Sequence, residues 1–440
     1  MRTPVTAVFD IGKTNKKFFL LDADLNELHQ EYRQLELSED DDGFPCEDLS
    51  ALGEWMKDVV AQALRDDRYQ VEALNFSGYG ASLVHLDEQG NVATPFYNYL
   101  KPFPDDLLQQ FYEQYGPPER HDLETASPTL GMLNSGMQLY WLKKIKPQRF
   151  DTIRSTLHFP QYLSYLFTGE LVTEPTSVGC HTKLWNFDEQ QYHRWVQQEE
   201  LEPLFPPTVA TTQYYPVELE GHTLKVGVGI HDSSAALVPY QRRHSDPFIL
   251  LSTGTWNISL NPFTQEALSP HELQRDCLTF LDPQGQAVKA ARLFLGNELE
   301  HQLQKLNNHF AKDADYYRDI LPDDQLIHQL ADGASVRLFY PDTIDNPLVD
   351  EVLTPEQWHL ENFATYEEAY HHLMWGLALL QRESLLLAQG ASTIHQVFVD
   401  GGFANSALFI RMLECLLPDH TFHPSSLPMG SAYGAALVMR

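Results

Sequence analysis

The sequence predicts an α/β protein of two similar domains, residues 1–243 and 244–440. A chain of 440 residues exceeds what one hydrophobic core ordinarily serves. Apolar runs of strand character alternate along it with stretches of helical period. The opening pattern of strand, glycine turn and strand also returns half a chain later: Val8-Phe9-Asp10-Ile11-Gly12-Lys13-Thr14 is echoed by Leu250-Leu251-Ser252-Thr253-Gly254-Thr255. Self-similarity over such a distance marks a duplicated unit.

The elements follow in order. Val5 to Asp10, Lys17 to Asp22 and Glu27 to Leu35 read as a meander of three antiparallel strands. Glu36 to Asp48, with Glu39-Asp40-Asp41-Asp42, reads as a solvated loop, because it lacks the alternating spacing and terminal Glu of a calcium loop. Helices are expected over Ser50 to Arg65, Ser135 to Lys144 and Gln161 to Phe167, and a strand over Val71 to Phe76. Proline-rich stretches at Pro102 to Pro118 and Pro203 to Pro207 read as loops. A strand from Leu224 to Ile230 leads into a helix of small residues after Asp232. In the second half the repeated hairpin, Phe248 to Leu260, precedes a long helix over Tyr366 to Ala388 and a strand over Gln396 to Asp400. Gly401-Gly402, a helix from Asn405 to Leu416 and a small-residue helix from Gly430 to Met439 complete the chain.

Composition narrows the partners. With 43% apolar and 21% charged residues the chain is that of a globular protein, and 30 Lys and Arg against 61 Asp and Glu give a formal charge of −31. Such a surface argues against nucleic acid and anionic membranes, which need clustered cations. A small anion needs only a local field, and Lys13, Lys16 and Lys17 supply one. Cys46, Cys180, Cys277 and Cys415 form no C-x-x-C pair and read as reduced structural thiols of a cytoplasmic protein. The chain passes from Met1 directly into a strand, leaving no room for a signal peptide, and no apolar run has the length of a membrane span. The 19 histidines are scattered, and the adjacent His371 and His372 fall on different faces of a helix, so no metal centre is expected from them.

Ala7 to Thr14 matches a permissive phosphate-loop pattern letter by letter. A phosphate loop must wrap the ligand with a flexible turn and open a helix. Here strand residues precede Gly12, and Asn15-Lys16-Lys17-Phe18-Phe19-Leu20-Leu21 follows with no helical period, so the segment is a β-hairpin. Asp10 at its strand end would repel phosphate unless a divalent cation sat between them. Two such hairpins, one from each half, are suited to grip the two ends of a polyphosphate.

Four separated motifs carry a resemblance. These are Asp10-Ile11-Gly12-Lys13-Thr14, Gly229-Ile230-His231-Asp232-Ser233, Ser252-Thr253-Gly254-Thr255-Trp256 and Asp400-Gly401-Gly402-Phe403-Ala404-Asn405. In this order the sequence resembles the FGGY carbohydrate kinases of the actin and sugar-kinase superfamily, on the side of the rhamnulokinase and L-fuculokinase branch. The resemblance implies two ribonuclease-H-like domains around a catalytic cleft, the first binding sugar and the second nucleotide. It implies ATP-dependent phosphorylation, with Mg²⁺, of a ketose or deoxyketose such as L-rhamnulose or L-fuculose at a primary hydroxyl. Another pentulose, a polyol or a signalling furanone is the alternative acceptor, and a catalytically silent, nucleotide-gated sugar sensor is the alternative outside enzymes. The implied partners are the sugar, ATP and a second copy of the chain, with no nucleic acid and no membrane.

The resemblance makes Asp232 the catalytic base; its competing role is to cap the helix it opens. Tyr79, Gly80, His231, Asp232, Ser233 and Asn297 are the implied sugar contacts. Against these stand a pocket-wall role for His231, a plain turn at Gly78-Tyr79-Gly80 and a helix cap at Asn297. Gly12, Lys13, Thr14, Asn15, Lys16, Lys17, Gly254, Thr255, Gly401, Gly402 and Asn405 are the implied ATP contacts, and Asp10 would hold the metal through water. A hydrolytic triad of His231, Asp232 and Ser233 is excluded, because adjacent residues cannot converge on one another. Two departures stand out, the first bearing on phosphate binding or on compensation of the acidic surface and only the second on the identity of the sugar. The first turn is richer in lysine than the Ser- and Gly-rich turns of the branch, and Tyr97-Asn98-Tyr99-Leu100-Lys101 stands where many relatives have Tyr-Arg-Asp.

Overall fold

The structure is a computed structural model that describes residues 2–80, 82–264, 266–333, 339–354, 359–425 and 430–440. Contacts divide the chain into two units. The first holds Met1–Arg243, Thr279–Ala287 and Met429–Arg440; the second holds His244–Leu278 and Val288–Pro428.

In the first unit the sheet order is Tyr214–Leu219, His222–Gly227, Tyr69–Gly78, Thr3–Ile11, Lys16–Leu21, Glu27–Arg33, and Ile230–His231 also pairs with Tyr69–Gly78. The last three strands of that order are the expected antiparallel meander. Tyr69–Gly78 runs parallel to Thr3–Ile11, and His222–Gly227 runs parallel to Tyr69–Gly78. The second unit repeats the plan. Ala287–Leu293, Asn257–Asn261 and Ile249–Thr253 are antiparallel neighbours, Gln396–Gly401 lies parallel to Ile249–Thr253, and Thr421–Pro424 lies parallel beyond it. The same strand order in both units makes this the duplicated, ribonuclease-H-like α/β architecture that the repeated hairpin announced.

Strand alternation decides which way the hairpin residues face. Val5, Ala7, Phe9 and Ile11 enter a core with Leu52, Trp55, Met56, Val59 and Val60 of the helix Leu49–Arg65. Asp10 takes the opposite face, where Ser431 of the helix Gly430–Leu437 donates to its Oδ1 at 2.9 Å. That helix crosses Asp232–Arg243 so closely that a Cβ on Gly434 would stand 1.8 Å from the Ala235 carbonyl oxygen. The run of Gly and Ala in both helices is therefore a packing requirement. In the second unit the long helix Tyr366–Gln389 shares one core with Ile249, Leu251, Val397, Val399 and the helix Ala407–Leu416.

Three sequence expectations are corrected. The Pro102 to Pro118 stretch is no simple loop: it contains the helix Asp105–Tyr115, started by Pro104, with Leu107, Phe111 and Tyr115 buried at one-turn spacing. Proline breaks a helix from within yet suits its first turn. The acidic segment is largely solvent-exposed, as expected, but it is a hairpin and not a loop. Leu37–Glu39 and Pro45–Glu47 pair as a hairpin, and its carboxylates are neutralised by cations: Asp40 by Lys101 at 2.6 Å, Asp41 and Asp42 by Lys146 at 2.6 Å each. The strand expected over Leu224 to Ile230 breaks at Val228 and Gly229; Gly229 has a φ of +82°, and a Cβ there would stand 2.4 Å from the Pro160 carbonyl oxygen, so the position requires glycine. Among the described residues no helix is long and apolar enough to cross a membrane, and Cys46, Cys180, Cys277 and Cys415 form no disulfide.

Candidate active site

The first unit gathers candidate residues at the ends of two parallel strands, with Asp10 opposite Ser77 and Ile11 opposite Gly78. The turn after Ile11 is closed by Gly12 N–H donating to the Asn15 carbonyl at 3.0 Å. Thr14 and Asn15 are exposed at its crest. Lys17 places its ammonium 3.9 Å from Asp10 Oδ2. Burial raises the Asp10 carboxyl above its ordinary range, Lys17 and Ser431 pull it back, and the charge of Asp232 pushes it further up.

Lys16 behaves differently from its neighbours. It is 3% exposed, and its ammonium donates to the Gly12 and Lys13 carbonyls at 3.0 and 2.8 Å and lies 2.9 Å from Glu47 Oε2. It shapes the turn from beneath. Lys13 lies 3.4 Å from Glu47 Oε1, with the rings of Tyr79 and Tyr99 at 5.6 and 5.2 Å, and burial lowers its pKa.

Asp232 heads the helix Asp232–Arg243. Its Oδ1 accepts from the Ser233 N–H at 2.6 Å and the Ser233 hydroxyl at 3.2 Å, and His231 Nε2 stands 3.3 Å away. The side chain keeps 36% of its surface accessible, while burial of the carboxyl pushes its pKa up to about 6 against the pull of the two Ser233 donors. A carboxylate of that pKa is a competent proton acceptor near neutral pH. His231 is buried and contacts Phe280, ring centres 5.3 Å apart. Gly80 packs against this group: a Cβ there would meet His231 Nε2 at 3.0 Å, Cys180 Sγ at 3.2 Å and His181 Cε1 at 3.2 Å. Ala81, within the same motif, lies outside the described residues. Tyr79 is buried, with its hydroxyl donating to Glu47 at 2.5 Å. The structure thus gathers Tyr79, Gly80, His231, Asp232 and Ser233 in one unit with the first turn.

The second unit has its own turn, closed by Gly254 N–H donating to the Trp256 carbonyl at 3.0 Å, with Gly254 and Thr255 exposed. Thr253 fastens this strand end to the next one: its hydroxyl donates to the Asp400 carbonyl and accepts from Phe403 N–H. Gly401, at φ +84°, has room for no side chain, since a Cβ would stand 1.8 Å from the Thr253 carbonyl oxygen. Gly402 has nothing within 4 Å of its missing Cβ, and Asn405 is exposed at the end of the short helix Gly402–Asn405. Burial pushes the Asp400 carboxyl up to about 6. Asn297 also belongs here: its N–H donates to the Thr255 carbonyl at 3.2 Å and its side chain to Thr343 at 3.1 Å.

Sequence reasoning missed four contributors. Ser431 orients Asp10, Glu47 gathers two lysines and Tyr79, Thr253 joins two strand ends, and Gly296 admits the second turn, since a Cβ on it would stand 1.8 Å from the Gly254 carbonyl oxygen. Only Gly296 left a usable signal, as a glycine at the start of a strongly amphipathic stretch.

Residues 5–230 match the N-terminal domain of the FGGY family of carbohydrate kinases, and residues 245–440 match the FGGY carbohydrate kinase C-terminal domain. A rhamnulokinase of Halalkalibacterium halodurans is 28% identical over 258 residues, 56% of this chain and 52% of that protein; the match spans about half that relative's length. The crystal structure of a carbohydrate kinase from Novosphingobium aromaticivorans is similar with TM-score 0.81 at 25% identity, over 100% of this chain and 92% of that one. A ligand-bound xylulose kinase from Lactobacillus acidophilus shares the fold with TM-score 0.80 at 15% identity, over 99% and 89% of the two chains.

Proposed function

Because the chain belongs to the FGGY family of carbohydrate kinases, we propose that it transfers the terminal phosphoryl group of ATP to a primary hydroxyl of a ketose or deoxyketose of the L-rhamnulose or L-fuculose type. The observation that carries this reading is Asp232: a carboxylate with a pKa of about 6, open to a ligand, and held at a helix start by Ser233. In the transfer Asp232 takes the proton of the acceptor hydroxyl as its oxygen bonds phosphorus and the bond to ADP breaks. Tyr79, Gly80, His231 and Ser233 would form the acceptor pocket. Lys13, Thr14, Asn15, Lys17, Gly254 and Thr255 would meet the phosphates, while Gly401, Gly402 and Asn405 would admit the adenosine. The work then divides as sugar and base in residues 1–243 and nucleotide in residues 244–440, in a cytoplasmic enzyme.

The donor set fits Mg²⁺: Asp10, fixed by Ser431 and within electrostatic reach of a second carboxylate, would supply an oxygen to the ion, through water or directly, and Mg²⁺ takes one or two carboxylates and keeps several waters. When bound, the ion neutralises charge on the phosphates. Ser431→Ala frees the Asp10 carboxylate, and loss of such an orienting partner typically weakens metal binding by about tenfold or more. The expected result is a higher Mg²⁺ concentration for half-maximal turnover, and a matching loss in a direct Mn²⁺ binding titration.

ADP formation across a panel of ketoses, aldoses and polyols tests the reading. Fastest turnover on a 6-deoxyketose supports it, fastest turnover on another acceptor class replaces the substrate, and nucleotide binding without acceptor-dependent turnover on the panel overturns the activity. The base also sets a pH dependence. Asp232 must be ionised, so kcat/KM should hold above pH 7 and fall as pH drops through about 6, tenfold per unit at the acid limb. A profile measured from pH 5 to 8.5 shows whether it does.

A further inference from the structure

The acidic hairpin Leu37–Glu39/Pro45–Glu47 is tied down from several directions. Lys101, Lys146 and Arg149 pair with Asp40, Asp41 and Asp42, the Phe44 N–H donates to Asp40 at 2.9 Å, and Asn98 donates to the Pro45 carbonyl at 2.9 Å. On its other side Asp48 caps the helix Leu49–Arg65 through the N–H groups of Ser50 and Ala51. Glu47 is caught between these anchors. Its side chain is 4% exposed, and its carboxylate meets three groups: Lys16 at 2.9 Å, Lys13 at 3.4 Å and the Tyr79 hydroxyl at 2.5 Å. Two of these come from the Gly12 turn and one from the segment that carries Gly80. Lys16 in turn holds the Gly12 and Lys13 carbonyls.

We propose that Glu47 is a positioning residue: through Lys16 and Lys13 it sets the shape of the first phosphate turn, and through Tyr79 it fixes that turn to the segment beside the acceptor group. The inference rests on the kinase reading for what the turn binds. Its physical basis is that a buried ammonium has one good arrangement when its carboxylate is present and none when it is absent. Without Glu47, Lys16 must leave its place under the turn to reach water, and the turn carbonyls go with it. A rigid second layer of this kind holds a site to the fraction of an ångström that phosphoryl transfer requires.

Glu47→Gln and the double variant Lys16→Met/Glu47→Gln, made in the full chain, test this by MgADP titration calorimetry, thermal melting and steady-state kinetics. Glu47→Gln should weaken MgADP by at least about tenfold, or about 1.4 kcal/mol, because the turn carbonyls that Lys16 holds must be drawn back into place before the nucleotide can bind. It should also raise the acceptor KM through Tyr79. The double variant removes the buried Lys16 ammonium together with its carboxylate and leaves only the quarter-exposed Lys13 without its partner, so it should melt higher and bind MgADP more tightly than Glu47→Gln alone. A merely structural Glu47 would lower the melting temperature while leaving the MgADP affinity of the folded protein unchanged. Glu47→Gln with wild-type MgADP affinity overturns the inference, and so does a double variant no better than the single one. Failure of the kinase reading shows elsewhere, in wild-type protein that binds MgADP yet turns over no acceptor. Wild-type protein that binds no MgADP sinks both.

Discussion

Asp232→Asn is expected to lower turnover by at least about a hundredfold, the lower end of what a general base contributes, while MgADP affinity and fold remain. The substitution keeps shape and the contact with the Ser233 N–H, so the loss isolates proton acceptance from packing. A second measurement on the same variant carries a sign worked out from the pKa. The folded carboxyl titrates near 6, above the ordinary 3.8 of an aspartate, so protonation favours the folded state. That stability is fully present below the unfolded pKa and is lost as pH rises through about 6. At pH 8 the wild-type protein carries an ionised carboxylate in a place that disfavours it, and Asp232→Asn removes this cost. The variant should therefore melt no lower than wild type at pH 8, and its relative gain should shrink toward pH 4. A residue kept against its contribution to stability is what a functional base looks like. A cap residue gives the opposite pair of results: near-normal turnover and a lower melting temperature at pH 8.

The sequence made the duplicated hairpin legible because its signals are local. Gly12 and Gly254 each follow an apolar strand run and precede another, and period and punctuation suffice for that. The place of Asp232 at the head of a small-residue helix was legible for the same reason. What was hidden depends on partners distant in sequence. Ser431 looks like one more small residue in Gly430-Ser431-Ala432, and only the folded chain puts its hydroxyl on Asp10. Glu47 sat at the end of an acidic run whose charge density reads as solvation; Lys101, Lys146 and Arg149, which neutralise the run, lie far along the chain. The three lysines of the first turn looked equivalent as letters. Alternation sends Lys16 under the turn and Lys17 to the face of Asp10, a distinction no composition argument supplies.

Gly296→Ala is expected to be the most damaging substitution in the second unit. A methyl group at Gly296 would stand 1.8 Å from the Gly254 carbonyl oxygen, 2.8 Å from the Gly254 carbonyl carbon and 3.2 Å from Thr255 Cα. Every one of these atoms is backbone, so no rotamer change relieves the clash. The helix Leu295–Phe310 and the Gly254 turn must separate by more than an ångström, breaking the 3.2 Å bond from Asn297 N–H to the Thr255 carbonyl. A displacement of about 1 Å in a group that positions phosphate costs about a hundredfold in rate. MgADP affinity should fall with it, while acceptor binding to the first unit is retained. Gly402→Ala is the contrast, because its Cβ would enter open space. Its melting temperature should stay at the wild-type value, and any loss should appear only in nucleotide affinity, where the adenosine approaches. Melting, MgADP titration and acceptor titration on both variants separate a glycine required by packing from one required by ligand. Gly296→Ala that binds MgADP like wild type would show that the second turn does not hold the nucleotide.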